Sequence, residues 1–372
     1  MPGGFPILSC RGSEELDQTG VTEALQRLSE RIRAAALERR AVRIRGGGSK
    51  DFYGGPPQGE LLETASLAGP MHYEPTELVI TARAATPLAT IDRTLSEHGQ
   101  MLAFEPPSFG ERATIGGAVA SGLCGPRRAH CGALRDFVLG VQIIDGRGDV
   151  LRFGGRVIKN VAGFDVARLM AGSLGTLGLL TEVTLKTTPR PKAECSLRFE
   201  LDQPRALECM SRWASRPLPL SATAWHDGEL LVRLSGAQAA VQAARRSLGG
   251  ETVAGAKEYW EALREQRLEF FRTAQTLWRI SLPAHTPPLP QAEILLEWGG
   301  ALRWLRGTMD AHEVRSLAAR FGGHATLFRG VTQSAEGPFH PLSPAMLALH
   351  RRLKAVFDPL GLFNPGRLYP TL

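Results

Sequence analysis

Apolar residues recur every three or four positions from Val21 onward. Val21, Ala24, Leu25, Leu28, Ile32 and Ala35 share one face, and Glu and Arg fill the other. The spacing predicts an amphipathic helix over residues 21–39. A strand-like run, 41–45, leads into a glycine-rich turn, and Pro56-Pro57 marks a loop before a short strand beginning at Leu61. Residues 77–83 (E-L-V-I-T-A-R) predict a strand. Thr86-Pro87 predicts a helix start, with Thr86 as N-cap and Pro87 at the first helical position. That helix is expected to run to about His98 and stop at Gly99, with a short strand at 101–104. The apolar run 137–144, the turn Asp145-Gly-Arg-Gly148 and residues 149–153 predict a hairpin. A further strand covers 179–186, and Pro189 and Pro191 close this half of the chain.

The second half has a different rhythm. Strands are expected at 194–201, 220–225, 229–234, 276–282, 291–297, 300–306 and 324–329. Helices are expected at 204–215, 236–248, 257–271, 310–321 and, from Ser343-Pro344, 343–357. Strands interleaved with helices in this way suit an antiparallel sheet covered by helices.

The turn R-G-G-G-S-K-D-F-Y-G, 45–54, holds the clearest candidate chemistry. Glycines lack Cβ, so the backbone can bend sharply and approach a ligand. Successive N–H groups in such a bend form an anion nest, to which Arg45, Ser49 and Lys50 can add donors. A plain loop is the other reading. The P-loop does not fit, because Lys50 follows Ser49 and precedes Asp51. Neither does the Rossmann fingerprint, because Asp51 stands where the third glycine belongs and the following residues cannot open a helix. A second small-residue stretch, 113–128, suits close packing against a flat ligand or a neighbouring strand.

Composition narrows the classes. Hydrophobic residues make up 43%, which suits a folded chain of two domains, and the net charge is +7. That charge fits an anionic cofactor, an acidic partner or a membrane face. No basic stripe carries interleaved aromatics, which argues against nucleic acid. The five cysteines show no C-x-x-C, so zinc and iron–sulfur sites have no signal and reduced cytosolic thiols are expected. The scattered histidines, His226, His285, His312, His324 and His340, show no ligand spacing, and no metal is expected. The N-terminus lacks a secretory pattern, and no apolar run approaches the ~20 residues of a spanning helix.

Three pieces stand in one order: the turn 45–54, T-I-G-G…G-P-R-R at 114–128, and K-N-V-A-G-F-D…G-S-L-G-T-L-G at 159–178. Together they resemble the flavin-binding domain of the vanillyl-alcohol oxidase (PCMH-type) family of FAD oxidoreductases. The ending Phe363-Asn-Pro-Gly-Arg367, after Asp358-Pro, is similar to the closing signature of that family's D-2-hydroxyacid branch. The turn, the compact length and the ending are more specifically similar to the flavin subunits of bacterial glycolate oxidases, which join two flavin-domain subunits and an iron–sulfur subunit.

The resemblance implies an α+β fold: a PCMH-type two-subdomain FAD-binding domain over 1–190, an antiparallel-sheet α+β cap or substrate-type domain over 191–342, and a segment 343–372 that returns to the FAD domain. It implies that Gly46, Gly47, Gly48, Ser49 and Lys50 hold the FAD pyrophosphate. Pro107, Ile115, Gly116, Gly117, Ser121, Gly122 and Gly125 would line the FAD toward its ring. Gly178 and Leu180 would meet the adenine end, and Arg367 would close over the cofactor or the domain junction, unless it is a surface arginine. Relatives with covalent FAD carry a histidine in the turn; Ser49-Lys50 stand here, so non-covalent FAD is expected. Leu174 replaces a glutamate common in relatives, and the histidine-rich H-x-G-D-G-N segment of the branch's catalytic subunits is absent. No catalytic residue is assigned, although His324 and Arg329 are candidates for contacting a carboxylate near the flavin.

The implied activity is glycolate oxidation to glyoxylate, with electrons passing through flavin to a partner iron–sulfur subunit and with a second FAD-containing subunit as partner. The alternatives are a self-sufficient FAD-dependent 2-hydroxyacid dehydrogenase and a non-catalytic assembly subunit. A cytoplasmic location is expected, with peripheral contact to the inner face of the plasma membrane through the complex as an extension of it.

Overall fold

The computed structural model describes residues 11–155, 165–272, 276–289, 293–331 and 335–372. Helix α1 (Arg11–Leu37) begins ten residues before the apolar stripe that predicted it. Val21, Ala24, Leu28, Ile32 and Ala35 are buried along its inner face. Strands β1 (Val42–Arg45) and β2 (Glu60–Glu63) pair in parallel, Val42 opposite Glu60. The other flank of β1 is taken by the C-terminal segment through a parallel bridge between Val42 and Phe363.

The chain continues through β3 (His72–Glu74), β4 (Val79–Arg83), α2 (Leu88–Glu97), β5 (Gln100–Met101), α3 (Ile115–Ser121), α4 (Arg128–Cys131), β6 (Val138–Ile144), β7 (Val150–Gly154), α5 (Val166–Leu169), β8 (Leu179–Lys186) and β9 (Thr188–Pro189). Five of these strands form an antiparallel sheet in the order β3-β4-β8-β6-β7. Its core gathers Ile80, Leu88, Ile91, Leu95, Phe104, Val119 and Ile143.

The remaining elements are β10 (Ala193–Glu200), α6 (Gln203–Ala214), β11 (Leu220–His226), β12 (Glu229–Gly236), α7 (Gln238–Leu248), β13 (Glu251–Thr252), α8 (Ala256–Arg264), α9 (Glu269–Arg272), β14 (Leu277–Ser281), β15 (Glu293–Glu297), β16 (Leu302–Arg306), α10 (Ala311–Arg320), β17 (His324–Arg329) and α11 (Pro344–Phe357). Their strands form an eight-stranded antiparallel sheet in the order β13-β10-β12-β11-β15-β16-β14-β17. Period-2 alternation gives this sheet two apolar faces. Trp278, Ile280, Leu296, Leu305 and Leu327 pack under α6, α7 and α10. Leu277, Leu295, Leu302, Trp304 and Phe328 form the opposite face with Trp260, Phe270 and Phe271, and meet Tyr53, Leu123 and Leu174 from the first half. The chain is thus α+β, with helices and antiparallel sheets, as expected.

Several local expectations are corrected. Thr86 does not cap α2; Pro87 is the N-cap residue, with extended backbone (ψ 139°), and the helix starts at Leu88. The reason is tertiary: Pro87 bridges Thr114, Leu88 N–H donates to the Ala113 carbonyl, and the Thr86 carbonyl accepts from Ile115 N–H. The strand expected at 101–104 is only Gln100–Met101, because the chain turns through Glu105 at φ +46°. The helix expected over 257–271 breaks into α8 and α9 at Gln266, φ +52°. Apolar periodicity runs through the break because Leu263, Phe270 and Phe271 reach one core. The break frees the Glu265 carboxylate to accept from Ser108 and Phe109 N–H, which fixes the 107–110 loop. Ser343 and Pro344 open α11 as expected, with the Ser343 hydroxyl accepting from Met346 N–H.

Candidate functional site

Four separate stretches converge on one open cleft. They are the glycine turn after β1, the start of α3, the loop into β8, and the C-terminal segment. The turn is the most polar wall. Among the described residues, no protein acceptor takes the backbone N–H of Gly46, Gly47, Gly48, Ser49 or Lys50. Five successive donors without partners beside a cleft are costly unless water or a ligand accepts from them. Arg43, Arg45 and Lys50 line the same wall, with Asp51 paired to Arg45 at 2.7 Å. The Lys50 ammonium donates to the Ser108 carbonyl at 3.2 Å. Burial lowers its pKa to about 8, opposed by Glu265. The donor set suits a bound anion, and a linked pair of phosphates would both occupy the N–H row and favour the lysine's charged form.

The opposite wall is built of small residues: Ala84, Gly116, Gly117, Ala120, Ser121, Gly175 and Gly178. Thr114 caps α3, its hydroxyl accepting from Gly117 N–H at 3.2 Å. The glycines of the turn serve chain packing as well as the cleft. A Cβ on Gly47 would lie 1.5 Å from the Arg112 carbonyl oxygen. At Gly116 it would lie 2.8 Å from the Ala84 carbonyl oxygen.

The C-terminal segment holds the cleft together from below. The Asn364 side chain accepts from Ile44 N–H at 2.8 Å and donates to the Leu174 carbonyl at 2.6 Å. Arg367 is buried, which corrects the surface reading. Its guanidinium donates to the carbonyls of Asp51, Tyr53 and Gly55, staples the far half of the glycine turn, and is held by burial below the usual arginine range. Behind it, buried Lys354 donates to Asp358 at 2.7 Å and to the carbonyls of Thr176 and Phe363. Leu174 sits in the left-handed region, φ +50°, and turns an apolar side chain toward the cleft where relatives were expected to carry a charge.

Of the residues singled out from the sequence, Gly46, Gly47, Gly48, Ser49, Lys50, Gly116, Gly117, Ser121, Gly178, Leu180 and Arg367 line this cleft. Four do not. Ile115 is buried in the first core. Gly122 ends α3 at φ +64°, packed against Gly172. Pro107 and Gly125 line a second, narrow cavity, beside Cys124, Arg264, Gln266, Arg279, Glu297, Trp304 and Phe328. Most of K-N-V-A-G-F-D lies outside the described residues. Arg43, Thr64, Thr114 and Asn364 belong to the first cleft and were missed. Thr114 had a readable signal, a hydroxyl residue before a helical run. Asn364 had a weaker one, an Asn-Pro-Gly turn.

Arg329 is committed elsewhere, donating to the Phe271 carbonyl at 3.0 Å and to Gln266 at 2.9 Å. His324 lies on the edge strand β17 opposite Ser281. Neither lines the first cleft. Glu297, which sequence reasoning passed over, is buried in the second cavity. It accepts from the Trp304 indole N–H at 2.7 Å. Burial pushes its pKa up to about 7, against that hydrogen bond and Arg279. Among the described residues no group of three or more His, Cys, Asp or Glu is placed to hold a metal, and no helix is long and apolar enough to cross a membrane.

Comparison with known proteins agrees with this geometry. Residues 22–154 match the family described as FAD binding domain, and residues 330–368 match the FAD linked oxidases, C-terminal domain. The chain is 49% identical to glycolate oxidase subunit GlcE of Escherichia coli K12, over 93% of this chain and 98% of that protein. It is 26% identical to a D-lactate dehydrogenase of Archaeoglobus fulgidus, over 89% of this chain and 86% of that one. Glycolate oxidase subunit GlcD of Bacillus subtilis is 36% identical over 32% of this chain and 25% of its own. A solved alkyldihydroxyacetonephosphate synthase shares the fold, with a TM-score of 0.63 at 15% identity, over 91% of this chain and 74% of that one. An FAD-binding domain match, an FAD-linked oxidase C-terminal match and near full-length relatedness to GlcE lead to one conclusion: the chain belongs to the PCMH-type FAD-linked oxidoreductases, in the family of GlcE, and FAD is its cofactor.

Proposed function

We propose that this chain is the FAD-binding subunit of a glycolate-oxidising complex. Glycolate loses two electrons and two protons to become glyoxylate, and the electrons leave through flavin to an iron–sulfur partner subunit, with a second FAD-containing subunit alongside. The observation that carries the reading is the row of five open N–H groups at residues 46–50, facing a cleft lined by Arg43, Arg45 and Lys50. The names of the relatives GlcE and GlcD support glycolate as substrate and a complex of several subunits. A cytoplasmic complex that touches the inner face of the membrane peripherally belongs to the same proposal.

Bound FAD supplies the two-electron acceptor. The chain's own residues hold and orient it. The backbone of Gly46, Gly47, Gly48, Ser49 and Lys50 takes the pyrophosphate. Gly116, Gly117 and Ser121 form a flat floor, Gly178 and Leu180 receive the adenine end, and Arg367 fixes the loop from behind. Pro107 and Gly125 stand farther along, at the second cavity, where the ring end would reach. Ser49-Lys50 offer no histidine for attachment, so the cofactor is held without a covalent bond. Residues 1–190 then act as the FAD domain and 191–342 as the cap, with 343–372 locking the two together.

A second reading, a self-sufficient 2-hydroxyacid dehydrogenase, is favoured by the polar cavity at Arg279 and Glu297. One preparation separates the two. The tagged chain is purified with its native partners, flavin and iron are counted, and single-turnover reduction by glycolate is followed. The proposal predicts co-purifying subunits, iron, and flavin bleached by glycolate. A chain that purifies alone and colourless would contradict it, and turnover by the isolated yellow chain with an artificial acceptor would favour the second reading.

A further inference from the structure

Two guanidinium groups stack on one indole at the seam between the two halves of the chain. Cζ of Arg128, on α4, lies 4.4 Å from the Trp298 ring centroid, and Cζ of Arg279, on β14, lies 5.1 Å from it. Neither guanidinium has a hydrogen bond or an ion pair among the described residues. Stacking uses the face of a guanidinium and leaves its five in-plane donors open. The platform itself is fixed. Trp298 is buried, its indole N–H donates to the Gly125 carbonyl at 3.1 Å, and its backbone sits at φ +56°. A bulky residue held in that region marks a position the surroundings enforce.

Arg279 lines the second cavity together with Glu297. The two do not form an ion pair, and the Glu297 carboxyl has the Trp304 indole as its hydrogen-bond partner. An uncompensated cation and a carboxyl with spare acceptor capacity lining one cavity ask for a ligand that is anionic at one end and a hydroxyl donor at the other. Pro107, Phe109, Leu123 and Phe328 supply apolar lining, Arg264 and Gln266 further polar groups, and the cavity is narrow, so the ligand is small.

We propose that Arg279 binds the carboxylate of a small 2-hydroxyacid in the second cavity, and that Glu297 accepts the hydrogen bond of its hydroxyl group. The choice of a hydroxyacid rests on the function proposed above; the anion site itself rests on the open Arg279 guanidinium.

The test uses the FAD-loaded full chain, titrated with glycolate and with acetate, which keeps the carboxylate and lacks the hydroxyl. Binding is read by calorimetry and by tryptophan fluorescence, and FAD content is read from each sample's visible spectrum. The wild-type chain is expected to bind glycolate more tightly than acetate. Arg279→Gln should weaken both by about tenfold or more, and Arg279→Lys, which keeps the charge without the fork, should fall between. Glu297→Gln should weaken glycolate and leave acetate nearly unchanged. Wild-type affinity for glycolate in Arg279→Gln overturns the proposal. So does a yellow wild-type chain that binds neither acid, a result that leaves the cofactor reading standing. An Arg279→Gln chain with normal glycolate affinity and a shifted flavin spectrum also overturns it, since the guanidinium would then serve the cofactor. A chain that retains no FAD fails the cofactor reading instead, and is told apart by its missing colour.

Discussion

Glu297 shows how one side chain ties stability to pH. Its carboxyl is buried, and its pKa moves from 4.5 to about 7, burial outweighing the Trp304 hydrogen bond and the Arg279 and Arg233 charges, with Glu105 adding to the rise. Below about pH 4.5 the group is neutral in both the folded and unfolded chain. As pH rises, the unfolded chain ionises first, so the stability contributed by the protonated carboxyl is lost until the folded group ionises near 7. The loss amounts to about 3 kcal/mol. Glu297→Gln removes this dependence. Urea unfolding at pH 5 and pH 8 should show the variant gaining on the wild type by that order, whereas parallel curves would contradict it. At this scale Gly47 is a poor probe of the cleft. A side chain there would strike the Arg112 carbonyl whatever the ligand does.

At the scale of elements, the C-terminal segment is the seam of the cleft. Arg367 crosses to three carbonyls of the 51–55 loop, and Asn364 joins β1 to the loop before β8. Arg367→Ala leaves the buried carbonyls of Tyr53 and Gly55, and the part-buried one of Asp51, without that donor and is expected to cost about 3 kcal/mol of unfolding free energy, together with weaker FAD retention. A change under about 1 kcal/mol in denaturant unfolding would contradict that role. Periodic elements were legible because their pattern is local. The stripe of α1, the apolar run of β6, the strand β8 and the Ser343-Pro344 start of α11 all appear where expected. What was not legible depends on distant partners. The Thr86 carbonyl is claimed by Ile115, the 257–271 helix is cut where Glu265 reaches the 107–110 loop, and Arg367 is drawn inward by the turn it staples. The same holds for the site. The 46–50 turn could be read from its glycines alone. Glu297 and Arg279 come together only because β14 and β15 share one sheet.

For the molecule as a whole, each half has its own core and the two meet through a shared apolar cluster at Tyr53, Leu123 and Leu174. The first cleft lies within the first half and the C-terminal segment, while the second cavity lies between the glycine-rich 122–126 loop and the eight-stranded sheet. A cofactor whose phosphates sit at the first and whose ring reaches the second would span both, which is why the backbone donors at 46–50 are the claim on which the rest stands. Amide hydrogen exchange of the chain with and without FAD reads those donors directly. The account predicts fast exchange at residues 46–50 without FAD and exchange slowed by about tenfold or more with it. Unchanged exchange at 46–50 in a sample that carries its full flavin would contradict it.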